Sequence, residues 1–174
     1  KAPLYTKKPM IDVATIIHSL PWPSETNTIT VTFSTNVPLL TSHFTPEIIL
    51  NGLLGSQQQN GNISVTFAQQ GGASKTINGT WMDGELRFVT PMSTTAEVNY
   101  TIVFDVMNRE CVHPAATTTM TITGFTCNPS VVVSRLPIFD CGGTETLPLQ
   151  VLGGPCDEGG PRAVFTYAAI KQST

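Results

Sequence analysis

The stretch Thr28-Ile29-Thr30-Val31-Thr32-Phe33-Ser34-Thr35 decides the fold. Ile29, Val31 and Phe33 alternate with Thr28, Thr30, Thr32 and Ser34, the two-residue period of a strand with one buried face. The same period returns along the chain. Residues 62–67 place Ile63, Val65 and Phe67 inward and Asn62 and Ser64 outward. Residues 97–107 turn Val98, Tyr100, Ile102, Phe104 and Val106 inward and leave Asn99 outward, and residues 117–124 point Met120 and Ile122 into the core. No window carries an apolar period of 3.6 residues. Asn51-Gly52, Asn60-Gly61, Gly71-Gly72, Asn78-Gly79 and Asp83-Gly84 punctuate the runs as turn signals. Asp83-Gly84, inside Thr80–Phe88, predicts a tight hairpin, because both turn residues must take positive φ. Closely spaced strands without helices predict an all-β sandwich of about seven to nine strands over residues 10–126.

Composition narrows the function. Charged residues are 12% of the 174-residue chain, and Lys+Arg 9 against Asp+Glu 12 offers no basic face for nucleic acid. A hydrophobic content of 40% is enough to build a core. Serine and threonine hydroxyls supply the polarity, which suits exposed sheet faces and O-glycosylation. No apolar run reaches the roughly 20 residues that span a bilayer as a helix. Three N-glycosylation acceptors occur, Asn62-Ile-Ser, Asn78-Gly-Thr and Asn99-Tyr-Thr, each expected to face solvent.

After Cys127 the sequence turns rich in Pro and Gly, with short strand-like runs at Val131–Val133 and Leu147–Leu152. Residues 127–159 read as an extension packed on the sandwich, 1–9 as an N-terminal connector and 160–174 as a connector strand. Four cysteines suit disulfides in an oxidising compartment. If the strands ending near Arg109 and starting near Thr117 are antiparallel neighbours, Cys111 and Cys127 lie at opposite ends of the sheet. A disulfide needs Cα atoms within about 7 Å, so the expected pairs are Cys111–Cys141 and Cys127–Cys156. Reduced, buried thiols are the alternative.

Motifs for catalysis or metal binding are missing. His18, His43 and His113 have no ligand spacing, and the cysteines form no C-x-x-C. No G-x-S-x-G elbow occurs. The expectation is a non-enzyme without a cofactor. Trp22 and Trp81 read as core or interface residues, with sugar stacking as the alternative.

Ala14, Ile16 and Ser19 recur as Ala168, Ile170 and Ser173 at a constant offset. Such an echo suits a tandem unit or a strand donated to a neighbouring copy. It marks Val164, Phe165, Tyr167, Ala168 and Ile170, with Ile16 and Trp22, as candidate assembly residues. The stretches Ser19–Leu39, Ile48–Ser56, Gly79–Thr90 and Glu97–Asn108 resemble the Ig-like tandem repeats of large extracellular fibre and surface proteins of algae and related protists, of mastigoneme-like or cell-wall type. The resemblance covers most of residues 14–124, and the cysteine-bearing tail departs from the simplest repeats. It implies an Ig-like antiparallel β-sandwich with a disulfide-fastened C-terminal extension. It also implies a structural role outside the cell: a glycosylated filament built head to tail from copies of itself. A carbohydrate-binding or adhesive sandwich is the competing reading.

Overall fold

The computed structural model describes residues 7–42, 45–125 and 128–135, with the backbone of 138–139 and 145–146. Strands carry the fold: β1 Ile11–His18, β2 Thr26–Thr35, β3 Glu47–Asn51, β4 Gly61–Gln69, β5 Ser74–Met82, β6 Glu85–Val89, β7 Tyr100–Met107, β8 Thr119–Ile122, β9 Ser130–Val132, β10 Ser134–Arg135, β11 Ile138–Phe139 and β12 Glu145–Thr146. No helix occurs among the described residues.

The strands hydrogen-bond in the order β10-β1-β2-β7-β4-β5-β6-β3-β8-β9, while β11 and β12 form a separate pair. This continuous sheet folds into two layers. β5 pairs with β4 along its length and with β6 from Thr80 to Met82, and so belongs to both. The inward residues predicted from alternation fill the space between: Ile29, Val31, Phe33, Val65, Phe67 and Ile102 are fully buried. Phe67 stacks on Tyr100 at 5.5 Å and meets Phe88 edge-on at 6.4 Å across the core. Such aromatic pairs add roughly 0.5–1.5 kcal/mol beyond their burial.

The outer face of the β1-β2-β7-β4-β5 layer is made largely of hydroxyls. Thr30 lies opposite Ile17 on one side and Val103 on the other, Val103 opposite Thr66, and Thr66 opposite Thr76.

The segment 130–135 closes the structure. β9 pairs antiparallel with β8, Val133 N donates to Thr118 O at 2.8 Å, and β10 then pairs parallel with β1. One short run therefore joins the two ends of the sheet, and unpaired edges are what such closure suppresses.

Two expectations are corrected. β7 and the strand starting near Thr117 are not neighbours: β7 lies between β2 and β4, and β8 between β3 and β9. The connection from 108 to 118 crosses from one layer to the other, as sandwiches require when the hydrophobic faces of both sheets must meet. Asn78-Gly79 is not a turn but lies inside β5. Gly79 is there for space: a Cβ would sit 2.8 Å from Leu86 Cδ1 and 3.1 Å from Val65 Cγ2. The Asp83-Gly84 hairpin forms as read, with φ of 49° and 82°. Asn60 clasps it, accepting from Asp83 N at 2.8 Å and donating to Asp83 Oδ1 at 3.0 Å.

Candidate assembly face

The loops after β1, β3 and β7 and the Asp83-Gly84 turn gather at one end of the sandwich. Its centre is built by continuing the inward register one step past the apolar series. In β1, His18 follows Ala14 and Ile16. In β2, Asn27 precedes Ile29. Beyond β7, Asn108 follows Val106. All three polar residues are buried, and buried polar groups require partners.

They find them in one another and in the loop 19–25. Asn27 Nδ2 donates to Asn108 Oδ1 at 2.9 Å and lies 3.3 Å from His18 Nδ1. Asn27 Oδ1 accepts from Ser19 N at 3.1 Å and Leu20 N at 3.2 Å. Asn108 Nδ2 donates to Leu20 O at 2.9 Å and Trp22 O at 2.8 Å. Asn108 N donates to Glu25 O at 3.0 Å. Pro21 and Pro23 restrict φ on either side of Trp22 and remove two donors. The backbone of the loop is thus pinned at both ends and in the middle. Burial pushes the His18 imidazole down to about 4, so it is neutral at ordinary pH.

The pinned loop turns apolar side chains outward. Leu20 and Trp22 are 39% and 42% exposed. Met107, at the end of β7, Val112 in the following loop, and Leu54 and Met82 beside the hairpin are exposed as well. A recess of about 240 Å³ lies between Leu54, Ser56, Asp83 and Arg109.

The predicted site residues are placed unevenly. Trp22 lies at the surface of this end. Ile16 is fully buried and serves this chain's own core, so its side chain contributes nothing to an outer face. Trp81 is 1% exposed, with its ring 6.4 Å from Phe104, which removes it as a sugar platform. Asn62 and Asn78 are exposed on strands. Asn99 is half-buried and donates to Gln70 Oε1 at 3.2 Å. Cys111 is half-buried beyond β7 and is not a free thiol. Cys127, Cys141, Cys156, His43, the run Leu147–Leu152 and the assembly residues Val164, Phe165, Tyr167, Ala168 and Ile170 lie outside the described residues. Asn27 and Asn108 were missed in the sequence; a polar residue in the inward register of an otherwise apolar strand was the available signal. Among the described residues no cluster of His, Cys, Asp and Glu is arranged to hold a metal ion, and no helix is long and apolar enough to cross a membrane.

No family model and no curated protein matches the chain. Among solved structures it is similar to the group B streptococcus pilus 2b backbone protein, at 12% identity and a TM-score of 0.39, covering 75% of this chain and 62% of that one. It is also similar to the sporulation control protein Spo0M from Bacillus subtilis, at 11% identity and a TM-score of 0.33, covering 73% of this chain and 48% of that one.

Proposed function

We propose that this protein is a structural subunit or repeat of an extracellular, glycosylated filament, assembled head to tail through the ends of its sandwich. The observation that carries this reading is the apolar end formed by Leu20, Trp22 and Met107, held on a backbone that the Asn27–Asn108 pair fixes in advance. A preorganised loop loses little conformational freedom on docking, so its exposed apolar area goes into association rather than into ordering. The resemblance to extracellular Ig-like repeats points the same way. The C-terminal segment 160–174, with Ile170 at its centre, is the proposed strand that reaches the next unit, and the extension 127–159 is proposed to be fastened by disulfides.

Electron microscopy of the purified chain over a range of concentrations tests the reading. Filaments are expected from the parent, and discrete particles from Leu20→Ser/Trp22→Ser and from Ile170→Asp. Monodisperse particles from the parent at every concentration would sink it. The competing reading, a carbohydrate-binding module, keeps one aromatic platform, because Trp22 is exposed. Glycan-array binding that disappears in Trp22→Ala while filaments never form would favour it.

A further inference from the structure

The two acceptor motifs Asn62-Ile-Ser and Asn78-Gly-Thr lie sixteen positions apart in the chain, yet the β4–β5 hairpin brings them into direct register. Asn62 lies opposite Thr80, and Ser64 lies opposite Asn78. Each asparagine therefore faces the hydroxyl residue of the other motif. Asn62, Ser64, Asn78 and Thr80 are all exposed. Neither Asn62 nor Asn78 has a side-chain hydrogen bond among the described residues. Asn99, by contrast, is half-buried and bonded to Gln70. The diagonal between the two acceptors is about 7 Å, the spacing of next-nearest neighbours across antiparallel strands.

The surroundings of this patch are unusual for a solvated sheet. Along the outward side of β2, β7, β4 and β5, Asp105 is the one ionisable side chain among the described residues, and Thr28 donates to it at 2.6 Å; on β1, Asp12 is exposed at the bulge near the start of the strand. Exposed sheet surfaces that stay monomeric are ordinarily studded with charge. A broad face of hydroxyls without lysine or arginine needs another means of keeping neighbours away.

We infer that the outer face of the β4–β5 hairpin is a paired glycan site, carrying N-linked sugars on Asn62 and Asn78 side by side, and that these sugars shield the uncharged layer. This rests on the extracellular reading above and deepens it, because a shielded broad face leaves only the ends of the sandwich for contact between units. The chemistry is a group transfer from a polyprenyl-diphosphate-linked oligosaccharide, supplied by the secretory pathway. The asparagine Nδ2 forms a C–N bond to the anomeric carbon, whose C–O bond breaks. The lipid diphosphate leaves with the bonding electrons, and the amide proton is lost to solvent.

The test is glycopeptide mass spectrometry on the full chain secreted from a eukaryotic host. Sugar is expected on both peptides. Asn62→Gln and Ser64→Ala should each remove the sugar on residue 62 only, and Asn78→Gln and Thr80→Ala the sugar on Asn78 only. Enzymatic deglycosylation of the folded parent should then produce lateral association at a several-fold lower concentration. Either asparagine bare in the secreted, folded protein would overturn the paired site. A deglycosylated chain as monodisperse as the parent would overturn the shielding. Failure of filament formation with both sites occupied strikes the filament reading and leaves this one standing.

Discussion

Asn27 of β2 and Asn108 beyond β7 face each other through a buried side-chain hydrogen bond of 2.9 Å, although 81 residues separate them in the chain. Each also holds the backbone of the loop 19–25. Asn27→Ala strands the Leu20 N–H group and the buried Asn108 Oδ1, while Ser19 N keeps its bond to Thr28 O at 3.0 Å, and leaving a buried polar group unsatisfied costs about 1–3 kcal/mol. The expected loss is roughly 2–4 kcal/mol on that basis, read as a lower urea midpoint at unchanged slope. Ser64→Ala, on the exposed face, should stay within about 0.5 kcal/mol of the parent. Equal midpoints for Asn27→Ala and the parent would show that water replaces the pair.

His18 makes stability pH-dependent. Its folded value is about 4, against an ordinary 6.5. Between those values the unfolded chain binds the proton and the folded chain does not, so stability rises with pH across the window and is lost as pH falls from 6.5 toward 4. The loss is roughly 2 kcal/mol by pH 5 and 3 kcal/mol by pH 4, and it levels off below that. Denaturation curves at pH 7, 5 and 4 should show this slope, and His18→Gln should flatten it. An identical slope in the variant would assign it to the carboxylates.

Gly79 and Gly52 should resist substitution for different reasons. At Gly79 the obstacle is packing against Leu86 and Val65, and Gly79→Ala should cost about 1–3 kcal/mol. At Gly52, φ is +81° and a Cβ would run into the carbonyl oxygen of Thr117. Gly52→Ala combines left-handed strain with a backbone clash and should cost more than Gly79→Ala. Gly71, also at positive φ but with open space around it, provides the control: Gly71→Ala should show the strain alone. Thermal melts that rank the three in another order would contradict this account.

Cysteine pairing is a further prediction, and it no longer rests on β7 and β8 being neighbours. β9 and β10 run back toward the end that carries Cys111, and Arg135 Nη1 donates to Ala115 O at 3.2 Å. Non-reducing peptide mapping is expected to join Cys111 to Cys141 and Cys127 to Cys156. A Cys111–Cys127 peptide would overturn the assignment.

Local pattern was readable from the sequence, and long-range pairing was not. Alternation named the buried residues of β2, β4 and β7 because a half-buried strand imposes that period on its own side chains. The Asp83-Gly84 turn was readable because φ is a property of two adjacent residues. Asn78-Gly79 carries the same kind of dipeptide signal. It was misread because Gly79 answers to Leu86 and Val65, which no local window contains. The placement of β7 beside β4 rather than β8 is likewise a matter of which apolar faces meet. Trp81 was ambiguous until β5 was seen to put it under Phe104. The apolar end was half visible: Trp22 stood out by type, while Asn27 and Asn108 became a pair only once β2 and β7 lay side by side.

The segment 130–135 has a consequence for synthesis. Thr15 and Ile16 pair on one side with β2, which follows at once, and on the other with Ser134 and Arg135, which leave the ribosome long afterwards. Throughout that interval the outer side of β1 at Thr15 and Ile16 lacks its eventual β10 partner. The nascent chain therefore carries an unmatched strand edge until Ser134 and Arg135 emerge, and closure of the sheet waits for them.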